Sequence, residues 1–402
     1  MRVFAGHTLP SWLPRAWGWA RALILLGAIL YLGAAAWDRV DLVLSRQPLG
    51  IDFLPMWAAA HEVFAHPERV YDFQGLTRFQ HPLLAQFHGL RPFVYPPPAL
   101  LVLAPFGMAP FSVANALWTV AGLIALLGAL ATRLKSPRFL VLLAMVLSPA
   151  SVLVLLTGQV TFLIAAFGVA ALLCLKDRPL LAGVLFGIAG VIKPQALILL
   201  PVALFALKQW RAMAAAAIAA GVAVFFSVLA FGVQAWTEWL HALPKFEKFV
   251  MSSPSLQRGM ITPTAMGMSL HLDPGAQDTL RLGFAVGAIA VVWHVFRRTE
   301  DPARRLAALF GGGIFISPYA MHYDAALLAP AAALILTHRP QPGAWIAALG
   351  AGALLCCAAI PQWGAAAVTA FVLLVALLPE TAFTRLPRLP FFAPRPEHEP
   401  AR

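Results

Sequence analysis

Long apolar runs recur along this chain from residue 20 to residue 379, and short charged patches separate them. Hydrophobic residues make up 60% of the 402 residues, and charged residues make up 11%. Soluble globular domains are usually about a quarter charged and less than half apolar. In lipid every backbone polar group must be hydrogen-bonded within the protein, so runs of this kind cross the membrane as helices. The sequence therefore predicts an all-α polytopic membrane protein.

The apolar runs predict about twelve crossings of the membrane. They lie near residues 20–37, 110–131, 139–156, 159–175, 180–192, 195–207, 212–233, 278–296, 306–317, 324–337, 343–360 and 364–379. The first run resembles a signal peptide, but we interpret it as an uncleaved helix because many spans follow it. The pairs 180–192/195–207 and 306–317/324–337 are too short for perpendicular spans, so we expect their connecting turns below the membrane surface, inside the protein.

The distribution of charge predicts the orientation. If the N-terminus is cytoplasmic, the inner connections hold most of the 29 Lys and Arg residues but only a minority of the 17 Asp and Glu residues. Basic residues beside spans accumulate on the cytoplasmic side, so both termini are predicted to be cytoplasmic. This distribution also accounts for the net charge of +12 without nucleic acid. The long connections 38–109 and 234–277 are then outer loops, and 95–110 is interpreted as a helix along the outer membrane surface.

These features predict one membrane domain over residues 1–380, followed by a cytoplasmic tail over 381–402 that is rich in Pro and Arg and disordered. The three cysteines, Cys174, Cys356 and Cys357, lie inside apolar runs and are interpreted as inert thiols. Their spacing gives no metal motif and no disulfide framework, so we expect no metal site and no cofactor.

Candidate functional residues concentrate in the predicted outer connections, where loops on a rigid scaffold commonly carry function. Asp52, in the apolar stretch "GIDFLPMW", is a candidate general base or, alternatively, a cap for the following helix. Tyr95, in "FVYPPP", either anchors a helix at the interface or contacts a ligand. Gln159, in "TGQV", either binds a sugar hydroxyl or satisfies the backbone of its turn.

Charges near membrane depth are costly and mark candidate sites. Lys193 lies between two short apolar runs, where a lipid phosphate would compensate its charge, although it could also snorkel to the interface. His322 is a candidate phosphate or sugar ligand within "SPYAMHYD", Asp324 could orient it, and Tyr319 belongs to the same polar turn. Arg258, in the second outer loop, is either a phosphate partner or an ordinary loop charge.

Five segments resemble glycosyltransferase family 87, which belongs to the GT-C superfamily of membrane glycosyltransferases. They are "GIDFLPMWAAAHEVFAHPERVYDF", "FVYPPPALLVLAPFGMAP", "TGQVTFLIAAF", "PLLAGVLFGIAGVIKPQALILLPVALFALKQWRA" and "ISPYAMHYDAALLAP", in order from about residue 50 to 335. The resemblance implies a GT-C bundle with outer juxtamembrane helices, and Asp52, Lys193 and His322 match its site positions. The chain departs from the family where "SPSLQRGM" replaces a segment rich in Asn and Gln, of which Gln257 remains.

The resemblance implies an inverting transfer of mannose or a related hexose from a polyprenyl-phosphate sugar, without a metal. The lipid-linked sugar is then a co-substrate, and the other expected partners are a glycolipid or glycan acceptor and membrane lipids. We expect the enzyme in the bacterial inner membrane, with its active site on the periplasmic side. The main alternative is a transporter or flippase of lipid-linked sugars, with the short helix pairs as broken spans; a non-catalytic scaffold is a third.

Overall fold

The computed structural model describes residues 49–84, 89–131, 138–337, 350–355 and 361–377. Within these ranges the chain is predominantly helical and contains one isolated antiparallel bridge, between Met260 and Met321. The predicted all-α class is confirmed for this part of the chain. The predicted crossing at 20–37, the tail at 381–402, and Cys356 and Cys357 lie outside the described residues.

The helices are given in chain order. The first group is α1 (Leu54–Glu62), α2 (Phe73–Gln80), α3 (Pro97–Gly107), α4 (Phe111–Ala131), α5 (Arg138–Val146), α6 (Pro149–Thr157), α7 (Thr161–Cys174) and α8 (Pro179–Ile192). The second group is α9 (Leu200–Ala206), α10 (Trp210–Ser252), α11 (Pro254–Arg258), α12 (Pro263–Ser269), α13 (Pro274–Arg298), α14 (Pro302–Ile316), α15 (Ala329–Thr337) and α16 (Pro361–Leu377). Residues 350–355 are also helical, and 3₁₀ turns cover Pro67–Arg69, His81–Leu83, Pro194–Leu197 and His322–Leu327.

Several helices begin at a capping residue followed by proline. The side chains of Ser148, Thr262, Asp273 and Asp301 each accept a hydrogen bond from a backbone N–H in the first turn of the next helix. A proline follows each cap at the first helical position, where its fixed φ suits the helix and its missing N–H costs nothing. Four helix starts are thus encoded by adjacent pairs of residues.

Three of the described helices, α4, α10 and α13, are long and apolar enough to cross a membrane. The bent pair α5 and α6, which meet at 61°, would make a fourth span. Large apolar side chains such as Ile218, Leu229 and Leu282 are exposed on α10 and α13, as expected for helix faces that lipid covers. These helices confirm a membrane protein, while the count of about twelve crossings stays a prediction.

The closest helix packing joins α8 to α10. A Cβ atom at Gly183 or Gly187 would collide with the backbone of α10 at Ala212 and Ala216. Small residues spaced four apart therefore let the two backbones approach closely. Such packing stabilises helix pairs in a membrane, where there is no hydrophobic driving force between helices. The helix α10 is interrupted at Gly232, which has φ 77° and ψ 166°. We call residues 233–252, beyond this break, the cover helix.

The helix α14 is the central element that places the candidate site. Every position from Leu306 to Phe315 on it is buried. At Gly313 a Cβ atom would lie 2.8 Å from the carbonyl oxygen of Ala196, so α14 packs directly on the 3₁₀ turn Pro194–Leu197. The C-terminal end of α14 then leads into the polar turn 317–324. The turns of both short helix pairs consequently lie close together, with Lys193, Ser317 and Asp324 buried and Pro194 exposed.

Candidate functional site

The main chain around Asp52 is fixed against the end of α6. The backbone N–H groups of Asp52 and Phe53 both donate to the carbonyl of Thr157, at 2.9 and 3.0 Å. Gly158 follows with φ 73°, and a Cβ atom there would lie 2.7 Å from the Cβ of Phe53. Only glycine fits this left-handed position without strain, and Trp118 donates to its carbonyl at 3.1 Å. Asp52 is therefore held on a rigid support.

The Asp52 carboxylate forms an ion pair with Arg91 instead of capping a helix. Arg91 Nη1 lies 3.0 Å from Asp52 Oδ1, and the two side chains are 17% and 21% exposed. Phe53 is the N-cap residue of α1, and no side chain caps it, which excludes the capping interpretation of Asp52. None of the described residues hydrogen-bonds Asp52 Oδ2. The Asp52 side chain is fixed through Oδ1 and is 21% exposed.

Tyr95 is hydrogen-bonded to two other residues of the site. Its hydroxyl donates to Gln159 Oε1 at 3.3 Å, and its own carbonyl accepts a hydrogen bond from the Tyr71 hydroxyl at 2.9 Å. Burial raises the pKa of Tyr95, and the carboxylates of Asp324 and Asp52 raise it further. Tyr95 is therefore a neutral donor within electrostatic reach of both carboxylates. It points into protein, unlike a side chain that anchors a helix at the interface.

Lys193 and Asp324 form the second ion pair of the site, and both side chains are buried. Lys193 follows the last residue of α8, and its Nζ lies 5.7 Å from the centroid of the Tyr323 ring. Asp324 Oδ2 accepts from the backbone N–H of Met321 at 3.0 Å. Asp324 is a partner of Lys193 that the sequence-based analysis did not name, and the binding of a lipid phosphate by Lys193 stays a prediction. The snorkelling alternative is excluded, because Lys193 is 4% exposed and paired inside the protein. A buried ammonium needs a partner in the protein, and Asp324 supplies it.

The ring of His322 is oriented by the second outer loop. Its Nδ1 lies 2.9 Å from the carbonyl oxygen of Gly259, and its backbone N–H donates to the same oxygen at 2.7 Å. Because a carbonyl only accepts, Nδ1 carries a hydrogen. The bridge between Met260 and Met321 ties the same two segments together. A Cβ atom at Gly259 would lie 2.8 Å from His322 Nδ1, so glycine allows this approach.

Tyr319 and Arg258 lie at the edge of the site. Burial, together with the carboxylates of Glu247 and Asp324, raises the pKa of Tyr319 to about 12, so its hydroxyl is a neutral donor at pH 7. Arg258 is exposed at the end of α11, next to Gly259. It forms no ion pair with any residue that the structure describes.

The cover helix lies over the first outer loop and the turn 317–324. Trp239 Nε1 donates to the carbonyl of Val94 at 3.1 Å. The Phe246 ring contacts Tyr319 with a centroid distance of 5.2 Å and Phe73 with one of 6.5 Å. The cover helix thus fixes the backbone segment that carries Tyr95.

Comparison with protein-family models decides the family. The model for glycosyltransferase family 87 matches residues 93–318, more than half of the chain. The chain belongs to glycosyltransferase family 87. Comparison with curated proteins and with solved structures gives no match. As a family 87 protein with spanning helices, the chain is a membrane glycosyltransferase.

The family 87 match covers Tyr95, Gln159, Lys193 and Arg258, but it ends before Tyr319, His322 and Asp324 and begins after Asp52. The structure connects these outer positions to the matched region. Asp52 is joined to the loop that leads to Tyr95 through Arg91, and Asp324 is joined to Lys193. His322 adjoins this group through the Tyr323 ring, 5.8 Å away between centroids.

One residue of the site escaped the sequence-based analysis, Arg91. It stands alone in "HGLRPFVY", and a single arginine beside an aromatic and proline-rich stretch is the signal that could have drawn attention to it. Among the described residues, no group of three His, Cys, Asp or Glu side chains could hold a metal ion.

Proposed function

We propose that this family 87 enzyme transfers a hexosyl residue, with mannose as the first candidate, from a polyprenyl-phosphate sugar to an acceptor hydroxyl. The observation that carries the proposal is the Asp52 carboxylate, with one oxygen fixed by Arg91 and the other bound by no described residue. This is the arrangement that a general base needs, because it must be oriented and yet reachable by the proton that it removes.

The reaction is an in-line displacement at the anomeric carbon. The acceptor oxygen bonds to this carbon from the face opposite the phosphate, so the configuration inverts. The bond between the carbon and the phosphate oxygen breaks, and polyprenyl phosphate leaves with the bonding electrons. Asp52 takes the proton of the acceptor hydroxyl. No other reactant is required.

Lys193, His322 and Arg258 are the proposed partners of the donor phosphate. An ammonium has three N–H donors, and one hydrogen bond from Lys193 goes to Asp324, so the others can bind phosphate oxygens. Asp324 holds the side chain of Lys193 in place. Arg258, exposed and close in sequence to Gly259, would approach the phosphate with the second outer loop.

Tyr95, Gln159 and Tyr319 are the proposed ligands of the sugar hydroxyls. The raised pKa values of both tyrosines favour the neutral phenol, which both donates and accepts hydrogen bonds. Gln159 is already oriented by Tyr95. A polar site that matches each hydroxyl can reject sugars that lack one of them, because its buried groups would be left unpaired.

The proposed location is the outer face of the bacterial inner membrane. The segments predicted to lie outside the membrane contact one another: the first outer loop, the turn 317–324, the cover helix and the second outer loop. Their common location is what the predicted topology requires, and the accumulation of basic residues in the other connections supports the same orientation.

The test is an assay of the purified protein with a set of polyprenyl-phosphate hexoses and membrane glycolipid extracts, with products identified by mass spectrometry. We expect one donor to give a product heavier by one hexose, and the Asp52→Asn protein to give none. Nucleotide-sugar-dependent transfer would overturn the proposed donor. Passage of a labelled lipid-linked sugar across vesicles without acceptor would instead support the transporter alternative, for which the break between α8 and α9 at Lys193 is the structural argument.

A further inference from the structure

We propose that Arg91 is a positioning residue for the reaction, acting through Asp52; this role rests on the proposed function. Its first support is the contact itself. Arg91 Nη1 lies 3.0 Å from Asp52 Oδ1, and both side chains are largely removed from water. A partly buried pair is screened less than a surface pair, so it can hold a carboxylate in one orientation.

The second support is that the main chain of Arg91 is itself held by buried polar side chains. Its N–H donates to Thr77 Oγ1 at 3.0 Å, and its carbonyl accepts from Gln80 Nε2 at 2.9 Å. Gln80 is fully buried and Thr77 is 4% exposed. Burying polar groups is costly unless they are hydrogen-bonded. The buried hydroxyl of Thr77 and the buried amide of Gln80 both bond the backbone of Arg91, which fixes its position. The last turn of α2 thus serves as a mount for Arg91.

The third support is that Asp52 is fixed from the opposite side by the carbonyl of Thr157. A carboxylate held through its backbone and through Oδ1 has little freedom to rotate. Its Oδ2 then points in one direction, and an acceptor hydroxyl meets it without a search for the correct geometry. Misplacement of a catalytic group by about 1 Å can slow a reaction by about 100-fold.

A phosphate ligand and a positioning residue predict different kinetics. If Arg91 bound the donor phosphate, its loss would weaken donor binding. If it positions Asp52, its loss leaves donor binding unchanged and lowers kcat, because only the transition state needs the aligned carboxylate. Two matched substitutions separate the roles: Arg91→Met removes the charge, and Arg91→Lys keeps the charge but shortens the side chain. Arg78→Gln, on the exposed face of α2, is the control for loss of one positive charge from the same loop.

The experiment measures kcat, donor KM and donor Kd for each variant, together with the thermal unfolding midpoint. We expect Arg91→Met to lower kcat by about 10- to 100-fold with donor Kd within about 2-fold of the wild type, Arg91→Lys to recover part of the loss, and Arg78→Gln to match the wild type. In an Asp52→Asn background, Arg91→Met should cause no further loss, since residues that act as a unit are not additive.

The outcomes separate this inference from the proposed function. If Asp52→Asn is inactive while Arg91→Met retains wild-type kcat, or shows a weakened donor Kd with unchanged kcat, the role of Arg91 is overturned and the function stands. If Asp52→Asn retains turnover, the proposed function and this role both fall. Should Arg91→Met fail to fold, Arg91→Lys decides alone: an intermediate kcat with unchanged donor Kd supports positioning, and a wild-type kcat refutes it.

Discussion

The two ion pairs of the site are built differently. Asp52 and Arg91 belong to one loop region, 39 residues apart, and their side chains are 21% and 17% exposed. Lys193 and Asp324 are 131 residues apart, and their side chains are 5% and 8% exposed. The first pair is therefore partly exposed, whereas the second is buried at helix ends. The carboxylates of both pairs raise the pKa of Tyr95.

This difference in exposure suggests different tasks for the two aspartates. A general base must exchange its proton with a substrate, which requires access. A buried pair cannot exchange protons readily, and removing either partner leaves an uncompensated charge inside the protein. The more exposed pair is therefore suited to proton transfer. The enclosed pair holds the turn 317–324 against α8 and keeps the ammonium of Lys193, the proposed phosphate ligand, in place. Substitutions should separate these tasks as loss of rate and loss of stability.

The largest expected effect is on the accessible pair. Asp52→Asn should lower kcat by about 10²- to 10⁴-fold, since that is the usual contribution of a general base. Its free energy of unfolding should change by less than about 1 kcal/mol, because the amide oxygen of the asparagine can still accept a hydrogen bond from Arg91. Turnover assays and thermal unfolding in detergent measure the two quantities. A large loss of stability together with a kcat close to that of the wild type would contradict the distinction between the two pairs.

The enclosed pair should give the opposite result. Lys193→Met leaves Asp324 buried without its partner and should lower the free energy of unfolding by about 3–5 kcal/mol. Replacing both residues, as Lys193→Met with Asp324→Leu, should restore much of that stability, because two apolar side chains leave no charge to compensate. Turnover should not return, since the proposed phosphate ligand is absent. Unfolding of the single and double variants would test this, and equal stabilities would contradict the prediction.

The support of Asp52 can be disturbed without touching a charge. Gly158→Ala places a Cβ atom 2.6 Å from Asn115 Oδ1 at a residue with φ 73°. Strain at such a position costs about 1–3 kcal/mol, and a shift of the Thr157 carbonyl should lower kcat about 10-fold. Gly128→Ala on α4 is the control, because a Cβ atom there meets nothing within 4 Å. Equal behaviour of the two variants would argue against a rigid mount for Asp52.

The smallest expected effect concerns Tyr95. Tyr95→Phe removes the hydrogen bond to Gln159 Oε1, which is 3.3 Å long, and should cost about 1 kcal/mol of stability. The donor KM should rise about 5-fold if Tyr95 binds a sugar hydroxyl, because one lost hydrogen bond has about that effect. A loss of kcat beyond about 100-fold would instead place its hydroxyl at the reacting atoms.

Much of the fold could be predicted from the apolar runs and the capping pairs. The predicted span 110–131 corresponds closely to α4 (Phe111–Ala131), and Asp273 and Asp301 begin α13 and α14. The end of α10 was less predictable. The apolar run stops near residue 233, yet the helix resumes after Gly232 with an amphipathic sequence that packs on the first outer loop. Hydropathy indicates which residues contact lipid, but it does not show whether a helix continues where it packs on protein.

The members of the site were more predictable than their pairing. Asp52, Lys193 and Asp324 stand out because charges are rare in an apolar chain. Sequence gave no means of choosing Arg91 as the partner of Asp52, or Asp324 as the partner of Lys193, because each choice depends on how distant helix ends meet. The analysis of Lys193 was incomplete for the same reason: it named a lipid phosphate as the compensating group, but the carboxylate of Asp324 can be identified only from the fold.

The attachment of Gly259 and Met260 to Met321 and His322 has a mechanical consequence. If the second outer loop moved to admit a bulky glycan acceptor, the imidazole of His322 would move with it, because it is hydrogen-bonded to Gly259. Loading and reactivity would then alternate, and the enzyme could not begin transfer until the loop had returned. Hydrolysis of the donor by water would be suppressed while the second outer loop is displaced.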